Sequence, residues 1–245
     1  MILAVERALA SVTARQILAR RRALVLAAFG LSPVLIAALF RRGGDAALTN
    51  VIELETMIIL PVILPIIALV IATGVFGAEI DDGTALYVLS KPVARWRIVL
   101  TRVLVAAAVT TLLTAPAALL VVPVAGVIEP RTIGMAFAVA VAVGALLYSA
   151  VFVALSLVTR RALVAGLVYV VVWEGIIATQ APGARYLSII QFILTLAQLI
   201  AGLPDHVFDA NITPGAAAVM SVVFAVGAVL FAIRRLRAFE VGEAG

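Results

Sequence analysis

A polytopic, all-α membrane bundle is the fold class this chain predicts, and two features predict it. Hydrophobic residues make up 65% of the chain and charged residues 13%, about half the charged share of a soluble domain, and the mean hydropathy is +1.24. The apolar residues also gather into runs that reach or approach the roughly 20 residues needed to cross a hydrocarbon core about 30 Å thick. Within those runs Ala, Leu, Val and Ile follow one another without strand-type alternation, so the backbone satisfies itself in lipid as helices rather than as a barrel. Six spans are predicted, at 23–40, 56–78, 98–124, 132–158, 162–180 and 214–233. Residues 1–245 then form a single domain with short loops and no room for a substantial soluble module.

Ahead of the first span, Ile2, Val5, Leu9 and Val12 repeat at helical spacing while Arg7, Ser11 and Arg15 take another face. Residues 1–22 therefore read as an amphipathic helix lying along the membrane surface. No cleavage signal follows a short apolar core, so the first span is expected to be retained. The second span carries Pro61 and Pro65, and the third Pro116 and Pro123. Each removes a backbone donor and favours a kink, and in the second span such kinks are candidates for widening a substrate path. Glu53 and Glu55 stand just before the second span and read as surface charges or the rim of a cavity mouth. In the fifth span Glu174 lies one turn or so beyond Tyr169, and ionisable groups at membrane depth mark pathways or paired structural sites. Residues 182–213 precede the last span, and in them Ser188, Gln191, Thr195 and Gln198 form one polar stripe on an otherwise apolar helix. They are expected to form outer-leaflet re-entrant or interfacial helices, with a seventh span as the alternative. Pro61, Pro65, Tyr169, Glu174, Gln191 and Gln198 are the candidate substrate path.

With a cytoplasmic N-terminus, six spans place fourteen of the eighteen basic residues inside and leave only Arg41, Arg42, Arg131 and Arg185 outside. That asymmetry predicts an inner-membrane protein with both termini cytoplasmic. It also explains the net charge of +5 without nucleic acid, for which no basic stripe with interleaved aromatics exists. Cysteine is absent and His206 is the sole histidine, so thiol chemistry and paired-histidine metal sites are not expected. The one lysine, Lys91, lacks the glycines of a phosphate loop. The chain is accordingly expected to be no enzyme, and to hold no cofactor or metal of its own.

Between the second and third spans lies a charge-dense island, Glu79-Ile80-Asp81-Asp82-Gly83-Thr84 followed by Leu86, Tyr87, Leu89 and Ser90-Lys91-Pro92. Acids near a helix N-terminus, apolar residues between charges and a proline stop make a short cytoplasmic helix with an anchor for a partner groove. This island, continuing through Val93-Ala94-Arg95-Trp96, resembles the first cytoplasmic loop of permeases in the ABC type 2 exporter superfamily. The short loops are most similar to the permease of nitrous oxide reductase maturation and to small multidrug or bacteriocin exporters. The resemblance implies that residues 79–97 form a coupling helix, with Glu79, Asp81, Asp82, Gly83, Thr84, Leu86, Tyr87, Lys91 and Pro92 contacting a separate ATPase. It further implies two ABC ATPase subunits per complex, which bind ATP and Mg, a second permease copy or homologue, and export of a substrate or force transmission to an extracytoplasmic partner. A non-transporting membrane scaffold is the competing function class.

Overall fold

The computed structural model describes residues 20–39, 45–81, 94–127, 131–202 and 212–241, and all the regular structure among them is helical. Helix α1 is Arg20–Leu39. Helix α2, Asp45–Glu53, runs without a break into a π-helical segment, Leu54–Ile63, and then into α3, Leu64–Asp81. Helix α4 is Arg95–Ala125 and α5 is Arg131–Ser156. Helix α6, Ala162–Val168, leads into a second π segment, Tyr169–Ile177, closed by the turn Ala178–Gln180. A 3-10 stretch, Pro182–Leu187, precedes α7, Ile189–Ala201, and the last helix, α8, is Pro214–Val241.

Five helical stretches among the described residues are long and apolar enough to cross a membrane: Ala47–Gly74, Arg95–Ala125, Thr132–Ser156, Ala162–Gln180 and Pro214–Leu236. They match the second to sixth predicted spans. The first predicted span coincides with α1, whose Ala23–Leu39 portion is a shorter apolar helix. The boundary that moves most is the start of the second span, which begins at Ala47, about two and a half turns before residue 56. Hydropathy ends a span at polar residues because it assumes lipid neighbours, whereas this stretch is 56% buried inside the protein and carries Thr49, Asn50, Glu53 and Glu55 within the helix.

Helix α5 is the hub. It packs against α4, α3, α7, α8 and α6, and Ile133, Phe137, Tyr148 and Phe152 on it are fully or almost fully buried. Close approach is set by glycines. A Cβ on Gly144 would stand 2.7 Å from Leu64 Cδ2 and 3.1 Å from Ile193 Cδ1, so α3 and α7 both press on α5 at that level. A Cβ on Gly30 would stand 2.4 Å from the carbonyl oxygen of Leu113, which brings α1 against α4 backbone to backbone. Helix α4 runs through Pro116 and Pro123 and stops at Gly126, whose φ of 86° lets its N–H reach back to the carbonyls of Val122 and Pro123. Only 11% of the most apolar stretch of α8 is buried, against 61% of that of α5, so α8 lies at the edge of the bundle. It is held there in part by an edge-to-face contact of Phe192 with Phe224 at 5.7 Å.

With 13 residues, α7 is about 20 Å long, short of the thickness of a hydrocarbon core. Its Ile189, Phe192, Ile193 and Ala197 are buried in the bundle. The island tested the sequence most, and most of it falls elsewhere: Glu79 and Asp81 close the backbone of α3, while Asp82, Gly83, Thr84, Leu86, Tyr87, Lys91 and Pro92 lie outside the described residues. So does the expected surface helix up to residue 19.

Candidate functional site

The densest polar chemistry sits where the fifth span meets α7. Ser188, extended at ψ 122°, is the N-cap of α7, and its Oγ accepts the Gln191 N–H at 3.3 Å. The same hydroxyl donates to Glu174 Oε2 at 2.5 Å. Glu174 Oε1 accepts the Ile189 N–H at 2.9 Å and the Tyr169 hydroxyl at 3.1 Å. One carboxylate on the second π segment therefore caps the first turn of another helix, where unpaired N–H groups and the helix dipole favour negative charge. Glu174 is 2% exposed and Ser188 1%. Around them, Trp173 Nε1–H donates to the Leu187 carbonyl at 3.2 Å, and Arg185 donates to the Thr179 carbonyl at 3.3 Å. The outcome is a clamp that fixes the end of the fifth span to the start of α7.

Beneath the clamp lies an aromatic column. Tyr148 stacks on Phe152 with centroids 5.7 Å apart, and Phe152 meets Tyr169 edge-on at 6.3 Å. Tyr148 is completely buried, and its hydroxyl lies close enough to Glu174 to interact with the carboxylate without meeting the geometry of a full hydrogen bond. The hydroxyls of Thr110 and Ser149, on α4 and α5, are buried without a hydrogen-bond partner among the described residues.

A second carboxylate stands apart from this network. Glu55 lies in the first π segment, completely buried, and neither of its oxygens has a hydrogen-bond partner among the described residues. This corrects the expectation of a surface charge, which holds for Glu53 alone: Glu53 is exposed. The physical reason is the earlier start of the span, which places Glu55 two turns inside it. An unpaired charge in such a place costs far more than a neutral polar group. The two π segments that carry these carboxylates touch each other.

Of the predicted path, Tyr169 and Glu174 are joined directly, and Gln191 enters through its backbone N–H. Gln198 lies two turns further along α7, half-buried, and its carbonyl accepts the N–H of Gly202, which ends the helix at φ 64°. Thr195 of the stripe is buried, its hydroxyl donating to the Gln191 carbonyl at 2.8 Å. Pro61 is half-buried inside the first π segment, and Pro65 is buried just past its end. Sequence reasoning missed Tyr148, which sits in an apolar run with nothing to set it apart, and misplaced Glu55, whose distance from the nearest basic residue in the chain was the available signal.

Comparison with known proteins gives a family model, described as ABC-2 family transporter protein, that matches residues 38–236. No curated protein matches the chain significantly.

Proposed function

This chain belongs to the ABC-2 transporter family, and on that premise we propose that it is the permease of an exporter driven by a separate ATPase. It is a multi-pass membrane protein and the membrane component of an ABC transporter. The observation that carries the finer reading is the extent of the match, which runs from the end of α1 into α8 and takes in the acidic-Gly-Thr and Leu-Ser-Lys-Pro island. A loop of that chemistry between two long helices suits a groove on a partner: apolar Leu86 and Tyr87 supply the anchor, and Glu79, Asp81, Asp82 and Lys91 set its orientation.

In this reading two ATPase subunits bind ATP and Mg, and their closure pushes on the island of each of two permease copies. The island joins α3 to α4, and both helices pack on α5. Force entering there reaches the π segments and, through Glu174 and Ser188, the re-entrant α7. Pro61 and Pro65 give the second span a compliant stretch in which the wall can open. Both termini face the cytoplasm, and the complex sits in the inner membrane. Solubilising the permease from native membranes should bring down an ATPase with phosphate-loop motifs. The reconstituted pair should turn over ATP faster than the ATPase alone. A permease that recovers no ATPase and changes no turnover contradicts the reading.

A further inference from the structure

We propose that Glu55 is the recognition point for a positive charge on the transported molecule, which makes amphipathic organic cations the substrate class; this rests on the permease reading. Glu174 has both oxygens engaged by Tyr169, Ser188 and Ile189. Glu55 is the other fully enclosed carboxylate among the described residues, and it has none. Its neighbours along the helix, Val51 on α2 and Leu54, Ile59 and Leu60 on the same π segment, are buried apolar residues.

No cation among the described residues serves it. Of the described elements packed on the first π segment, α1, α4, α5, α7 and the second π segment, the basic side chains described as buried or part-buried are Arg95, Arg97 and Arg102, all in the first turns of α4. All three lie near the opposite end of their helix from Ala125; at 1.5 Å per residue even Arg102, the nearest, is displaced along the bundle by roughly 20 Å from the level of Glu55. A divalent metal would need several oxygen ligands, and no group of three or more acidic or histidine residues exists among the described residues. One carboxylate in an apolar wall instead matches a single charge on an apolar body, the usual make-up of a small-molecule site. Entry is by parting of the two π segments, at the stretch where Pro61 already interrupts the backbone ladder.

The test uses two probes of equal size and opposite charge, tetraphenylphosphonium and tetraphenylborate, bound at equilibrium to the full-length permease with its ATPase in nanodiscs. The wild type should bind the phosphonium saturably and in preference to the borate. Glu55→Gln should weaken phosphonium binding roughly tenfold or more and leave the borate unchanged, and Glu53→Gln, on the exposed side of the same helix, should behave as wild type. Equal phosphonium affinity in wild type and Glu55→Gln overturns the proposal. So does a wild type without cation preference, a result that needs no variant to fold. ATPase recovery and turnover are read on the same samples. Coupling intact with no Glu55-dependent binding sinks this inference alone, and Glu55-dependent binding without any ATPase coupling sinks the permease reading instead.

Discussion

At the residue scale, Glu174 does for α7 what a local cap does for an ordinary helix, but from another span. Removing it strands the Ile189 N–H and the hydroxyls of Ser188 and Tyr169 in a buried place. Leaving buried donors unsatisfied costs about 1–3 kcal/mol, so Glu174→Ala should lower the stability of the purified permease by about 2 kcal/mol or more. Ser188→Ala, which removes the cap hydroxyl alone, should cost about 1 kcal/mol. Thermal unfolding in detergent measures both, and a Glu174→Ala protein that melts with the wild type would contradict the clamp. The residue was visible in the sequence as a membrane-depth acid and Ser188 as the first member of a polar stripe. Their partnership was not visible, because fourteen residues and a 3-10 turn separate them and no periodicity spans such a gap.

At the element scale, glycines distinguish contacts that can give from those that cannot. A Cβ at Gly30 meets a backbone oxygen at 2.4 Å, whereas at Gly166 it meets the tip of the Leu69 side chain, which can rotate away. Gly30→Ala should therefore cost about 1–3 kcal/mol by forcing α1 off α4, Gly166→Ala less, and Gly227→Ala, with nothing within 4 Å, nothing measurable. Equal melting temperatures for the first and third variants would count against the α1–α4 contact. On α7, changing Gln191 and Gln198 together to leucine should alter export or substrate-stimulated ATP turnover while assembly persists, and unchanged transport of several substrates would leave the stripe a structural role. Element positions were largely readable. Arg95, Gly126 and Pro214 punctuate long apolar runs, and helices α4 and α8 follow those marks closely. The π segments were not readable, since a wider register leaves no mark in hydropathy, and neither was the burial of Glu55, because composition alone cannot tell a lipid-facing helix from one enclosed by its neighbours.

At the scale of the whole molecule, the distribution of basic residues makes the orientation testable. In this cysteine-free chain, single cysteines at Arg160 and Arg237 should be shielded from an impermeant thiol reagent in intact cells, and one at Asp209 should label. Labelling of the Arg237 site from outside would reverse the last span. Orientation decides which side the island faces, and the island carries the central claim, that the permease receives its driving force through residues 79–97. Truncating a central interface aromatic costs about 2 kcal/mol or more, roughly a thirtyfold loss of affinity. The direct measurement is recovery of the ATPase together with ATP turnover in reconstituted membranes, for wild type, Tyr87→Ala, Gly83→Pro and, as a control on the opposite side, Arg41→Ala. Both island variants should insert normally yet release the ATPase or uncouple its turnover from transport, while Arg41→Ala behaves as wild type; full binding and coupling in both island variants would mean that the driving force does not enter through residues 79–97.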